Sequence, residues 1–130
     1  MGLSVAAVGA CTLGENIELA EAQVAEFHKN LSEGRVEVIY DLAADEFKKS
    51  GSRDEALQFL RAVRSKLGAV KESKKQTWDV NYHTVGTFVS LVYETEFIEG
   101  KGTEYFVYRI DERAAKLVSY KIDSMALVVK

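Results

Sequence analysis

No proline occurs in this chain, and only one cysteine, two histidines and one tryptophan. Without proline, helix ends and turns fall to glycine and to capping side chains. A lone cysteine excludes an intramolecular disulfide. The two histidines, His28 and His83, stand in no recognisable nucleophile or metal-ligand motif, so no metal or cofactor is expected. Positive charge is not in excess: 17 basic residues face 20 acidic ones, for a net charge of −3. That argues against a nucleic-acid-binding domain, which would show a basic face or stripe. No apolar run approaches the roughly 20 residues that a membrane-crossing helix needs. Internal repeats and low-complexity segments are also missing. What remains is an ordinary globular balance, 47% hydrophobic and 28% charged over 130 residues, enough for one domain with one core.

The first half reads as helices. Ile17, Ala20, Val24, Phe27 and Leu31 recur at three- and four-residue spacing, which predicts a helix over 17–32 with Asn16 as cap and Gly34 at its end. His28 falls on the boundary of the stripe, where a half-exposed histidine is the default. Val36, Ile39, Tyr40, Ala43 and Phe47 predict a second helix over 35–48. Ser52-Arg-Asp-Glu55 matches the S-x-x-E capping box and opens a third, over 53–67, closed by Gly68. Asp41, Asp45 and Glu46 form the densest acid group but lack a third ligand or a glycine-bearing loop, so they read as a solvated face.

The second half reads as an antiparallel meander of about four strands. In 87–97, Val89, Leu91, Tyr93, Thr95 and Phe97 alternate with Phe88, Ser90, Val92, Glu94 and Glu96, and the first set is the core face. A turn over Glu99–Gly102 leads to a strand over 103–111 with Phe106, Tyr108 and Ile110 inward. A second turn over 111–115 leads to the last strand. Lys71–Lys75 reads as a solvated loop, before a short strand around Trp78–Tyr82. The register that best matches apolar faces brings Trp78, Tyr93, Tyr108 and Tyr120 into one row facing the helices. The row has two readings: a packed aromatic seam, or the wall of a pocket for a small apolar ligand with phenols as its polar groups. The outer face carries Glu94, Glu96, Arg109, Lys121 and Asp123, with Val107 between Glu94 and Lys121. Its apolar strip, Val92, Tyr105 and Val107, offers a homodimer contact.

The N-terminus has two readings as well. Val8-Gly9-Ala10-Cys11 resembles the bacterial lipobox, which makes Cys11 the lipid attachment site and the only link to a membrane. Residues 1–16 are then a signal remnant and tether, and 17–130 the domain. The other reading is a frayed tail with a free thiol.

Three helices before a curved antiparallel sheet make an α+β domain. The order resembles the cone-shaped nuclear transport factor 2-like (cystatin-like) folds. The stretches Arg64-Ser-Lys-Leu-Gly-Ala-Val70, Gly86–Phe97, Glu104-Tyr-Phe-Val-Tyr108 and Leu117-Val-Ser-Tyr-Lys-Ile122 resemble a family of small bacterial exported proteins of unknown function. That resemblance implies a periplasmic or lipid-anchored protein and no particular chemistry. The expected function is non-enzymatic, the binding of a small apolar ligand or a protein partner. The alternative is a small enzyme of the ketosteroid-isomerase kind, which needs a pocket carboxylate and an oxyanion donor. Tyr93, Tyr108 or Tyr120 could donate, but the pattern places no acid on the core face; a buried Asp or Glu within hydrogen-bond reach of one of these tyrosines would favour the enzyme.

Overall fold

A computed structural model describes residues 12–128. Five helices, α1 (Leu13–Ser32), α2 (Val36–Leu42), α3 (Asp45–Lys49), α4 (Arg53–Leu67) and α5 (Met125–Val128), accompany four strands, β1 (Val70–His83), β2 (Gly86–Phe97), β3 (Gly100–Asp111) and β4 (Ala114–Asp123). The strands form one antiparallel sheet in the order β1-β2-β3-β4. The domain is therefore α+β with a curved four-stranded sheet. The helix count is larger than the three expected.

Helix α1 starts four residues before the expected position. Thr12 is its N-cap and forms a capping box with Glu15: the Glu15 amide donates to Thr12 Oγ1 at 3.1 Å, and the Thr12 amide donates to Glu15 Oε1 at 2.9 Å. Leu13–Asn16, expected as tether, are its first turn, and Asn16 is buried rather than capping. The expected stripe holds, with Ala20, Val24, Phe27 and Leu31 all buried. His28, expected to be half-exposed, is buried as well.

The expected second helix divides into α2 and α3 because Ala43 and Ala44 are extended, with ψ 162° at each. The Ala44 amide donates to the Leu117 carbonyl at 2.8 Å, so a tertiary bond to β4 takes the amide that a continuous helix would have used. Helix α4 begins at the expected capping box, Ser52 with Glu55, and ends at Gly68, whose φ is +79°.

The core-face alternation of β2 is as expected, with Val89, Leu91, Tyr93, Thr95 and Phe97 all buried. Val24, Phe27, Leu31, Leu60 and Leu91 are buried core, while Ile110 is only half-buried at its rim. The register differs from the expected one. Tyr93 lies opposite Glu104, not Tyr108, and Phe106 lies opposite Leu91 and Tyr120. The reason is at the β2–β3 hairpin, where the turn is Ile98–Glu99 and both glycines belong to β3. A Cβ at Gly100 would stand 2.8 Å from Ala126 Cβ, and one at Gly102 would stand 3.0 Å from Ile122 Cδ1. These glycines admit α5 and β4 at close range; they do not make the turn. Moving the turn shifts the pairing by an even number of residues, which keeps every side chain on its expected face. The β3–β4 turn is Glu112–Arg113, with φ of 47° and 69°, and a bulge between Val107 and Tyr108 offsets the top of β4. Strand β1 is far longer than expected and absorbs Lys71–Lys75. As an edge strand it is wet on both faces there, which hides its alternation.

Helix α1 crosses the concave face obliquely and touches all four strands. Its C-terminal end lies over the start of β1, where Ser32 Oγ accepts from the Val70 amide at 3.0 Å, and from its first half Glu21 pairs with Lys75 further along the strand. Helix α4 packs beside it, against α2 and α5.

Candidate functional site: a buried carboxylate under helix α1

Glu104 shares strand parity with Phe106 and Tyr108, so it faces inward, and none of its surface reaches solvent. Its neighbours are set by register. Tyr93 lies opposite on β2 and Ile122 opposite on β4, while Thr95 and Tyr120 are the diagonal positions on the same face. From above, α1 brings down His28.

Three side chains hold this carboxylate. His28 Nε2 lies 2.7 Å from Glu104 Oε1, Thr95 Oγ1 donates to the same oxygen at 2.6 Å, and Tyr120 Oη donates to Oε2 at 2.6 Å. Thr95 directs its hydrogen to Glu104, so at 2.8 Å it accepts from Ser73 Oγ on β1. The network thus ties α1 to all four strands. A carboxylate has about four lone-pair positions, and protein donors take three of them. These three contacts offset part of the several kcal/mol that burying a charge otherwise costs.

The tyrosines respond to this enclosure. Burial, then the negative charge of Glu104 and the hydrogen bond to it, push the Tyr120 hydroxyl well above its ordinary range. Burial and the nearby Tyr93 and Glu104 do the same to Tyr108. Tyr93 is pushed up to about 12 by burial and by the charges of Glu21 and Glu104. Tyr120 is therefore a permanent donor to Glu104 at any ordinary pH.

Around the polar group the packing is aromatic and centred on Phe106. Its ring centroid lies 5.1 Å from Phe27, 5.9 Å from His28, 5.8 Å from Tyr93, 6.1 Å from Tyr108 and 5.2 Å from Tyr120. Phe27 and Phe106 fill the space between α1 and the sheet, and both are buried.

The four residues expected in one row are therefore not in one row. Tyr93 and Tyr120 flank Glu104. Tyr108 lies one step further up the sheet, against a cavity of about 30 Å³ that it shares with Phe27, Asn30 and Leu117. That is room for water, not for an organic ligand. Trp78 is on the edge strand and 48% exposed. Register explains the dispersal, since Trp78 aligns with Leu91, Phe106 and Tyr120.

On the outer face Val107 lies between Ser90 and Ser119, not between Glu94 and Lys121. Arg109 pairs with Asp111 at 2.9 Å and with Glu46 of α3 at 3.0 Å. The Nε contact to Glu46 is electrostatic and not an aligned hydrogen bond. Both carboxylates neutralise the guanidinium, which borders a surface cleft of about 430 Å³. Among the described residues no three His, Cys, Asp or Glu side chains converge as metal ligands, and no helix is long and apolar enough to cross a membrane. Cys11 lies outside the described residues.

Sequence reasoning missed Glu104, Thr95 and His28. Parity was the available signal: the alternation that turns Phe106 and Tyr108 inward also turns Glu104 inward. No family model matches the chain, nor does any curated protein or any solved structure.

Proposed function

We propose that the chain is a non-enzymatic binding domain of the bacterial cell envelope, with a nuclear transport factor 2-like cone, that works through its surface and not through an internal site. The single observation behind this reading is the state of Glu104. A catalytic base needs a face open to substrate, and this carboxylate is sealed, with protein donors on both oxygens. The same packing turns the expected apolar ligand into the weaker option and a protein partner into the stronger one. Helices first and an antiparallel meander last support the cone, and the lipobox-like Val8–Cys11 supports the envelope.

The arrangement that would favour the enzyme alternative is present: Glu104 is a fully buried carboxylate, and the Tyr120 hydroxyl donates to it at 2.6 Å. Isomerisation of a β,γ-unsaturated ketone separates the two readings. The expected result is no turnover above that of Glu104→Gln. Turnover that Glu104→Gln and Tyr120→Phe both abolish would establish the enzyme.

A further inference from the structure

Strand β1 is an edge, and its two halves differ. The lower half carries Lys71, Lys74 and Lys75 and two bulges, between Val70 and Glu72 and between Lys75 and Thr77. Lysines and bulges are the usual devices that keep an edge from pairing. The upper half, Thr77–His83, has neither. Helix α1 covers β1 only below the second bulge, where Glu21 meets Lys75. Above it, six of the seven residues are exposed and Val80 is half-buried, with Trp78 and Tyr82 exposed at 48% and 62% on the concave side.

The direction of the free backbone groups follows from the hairpin. Thr84–Val85 is a two-residue turn, closed by the pair His83 and Gly86. Such a turn closes on a hydrogen-bonded pair, and bonded and non-bonded pairs then alternate. His83, Asn81, Asp79 and Thr77 therefore bond β2. Tyr82, Val80 and Trp78 direct their N–H and C=O groups away from the sheet.

We propose that this edge pairs with the same edge of a second copy, antiparallel about a two-fold axis at Val80. The sequence is self-complementary in that register and in no neighbouring one. Trp78 meets the second copy's Tyr82 on the concave face, twice by symmetry. Asp79 meets Asn81 on the outer face, so no like charges oppose each other; Asn81 Nδ2 already bonds Asp79 Oδ2 at 2.7 Å within the strand. Centring on Asp79 instead would oppose two carboxylates, and centring on Asn81 would run the pairing into the turn. Val80 is also the midpoint of the stretch between bulge and turn, so this register uses its whole length. The three outward residues of each copy form bonded pairs, Trp78 with Tyr82, Val80 with Val80, and Tyr82 with Trp78. The product is one continuous eight-stranded sheet with both outer faces on the same side. An extended peptide from another protein could use the same free groups, but it would not bring this symmetric set of side chains.

Amide hydrogen exchange on the full chain, read with sedimentation at rising concentration, tests it. The amides of Trp78, Val80 and Tyr82 should gain protection of tenfold or more as a dimer forms, while those of Lys74 and Lys75 stay as they are. Val80→Pro removes an amide that β2 does not use, and should give a folded monomer. Trp78→Lys with Tyr82→Lys, both at exposed positions, should do the same without touching the backbone. A wild-type chain that stays monomeric at high concentration overturns the proposal. So does a dimer that survives Trp78→Lys with Tyr82→Lys, or one whose protection falls elsewhere than on these three amides.

Discussion

Tyr120 on β4 donates its hydroxyl hydrogen to Glu104 Oε2 on β3, 2.6 Å away, and neither group has appreciable contact with solvent. Removing the hydroxyl leaves part of a buried charge unsatisfied. Tyr120→Phe should cost about 1.5–3 kcal/mol, the range for hydrogen bonds to charged groups. Tyr108→Phe is the internal control. Its ring is equally buried, but its hydroxyl has no side-chain partner among the described residues, so it should cost well under half as much. Denaturant unfolding of the two variants side by side checks this, and equal losses would contradict it.

Glu104→Ala should be among the most damaging single changes, at about 3–5 kcal/mol, because it strands His28, Thr95 and Tyr120 together. Glu104→Gln keeps the shape and should cost less, about 1–3 kcal/mol, since the amide turns one acceptor into a donor aimed at other donors. Thermal unfolding should rank wild type above Gln above Ala.

Alkali should unfold the domain through its tyrosines. Tyr93, Tyr108 and Tyr120 all have hydroxyls raised above the ordinary value of about 10, Tyr93 to about 12. A group raised on folding contributes its full stability below its unfolded value and loses it as pH rises through its folded value. Stability from these groups should be flat up to about pH 10 and then fall between about 10 and 12. Tyrosinate absorbance from these three should appear together with the loss of far-ultraviolet circular dichroism. Their ionisation near pH 10 in a still-folded protein would contradict the enclosure described for them.

How much of this was legible beforehand divides along physical lines. Side-chain facing was, because alternation needs only parity: Val89, Leu91, Tyr93, Thr95 and Phe97 face inward as their pattern says. The Ser52–Glu55 cap was, because its donors and acceptors lie within one turn. The equivalent Thr12–Glu15 box is present in the sequence, but it adjoins the lipobox-like run, whose pattern predicts a tether there. Register was not legible, since glycine signals a turn and a close approach alike, and at Gly100 and Gly102 the close approach applies. Glu104 was obscured by its type. A carboxylate is so rarely buried that its place in line with Phe106 and Tyr108 carries little weight against its type. The partners that make its burial tolerable come from α1, β2 and β4, which no local pattern connects.

Lipidation of Cys11 is an expectation about the cell. A fatty-acid analogue should label the precursor at that residue, and Cys11→Ser should release the domain from the membrane fraction. With Thr12 as the N-cap of α1, a lipid there would leave almost no tether between the membrane surface and the fold. A Cys11→Ser chain that fractionates like wild type would contradict this.

The space under α1 is closed by Phe27, Phe106 and the Glu104 network, so the proposed binding function falls to the surface. Nuclear magnetic resonance of the ring protons of Tyr93, Phe106, Tyr108 and Tyr120, during titration with a neutral apolar probe such as naphthalene, tests it most directly. No saturable shift is expected at these rings in the folded protein. A saturable shift shared by these rings, with Trp78 unmoved, would show a ligand inside and contradict it.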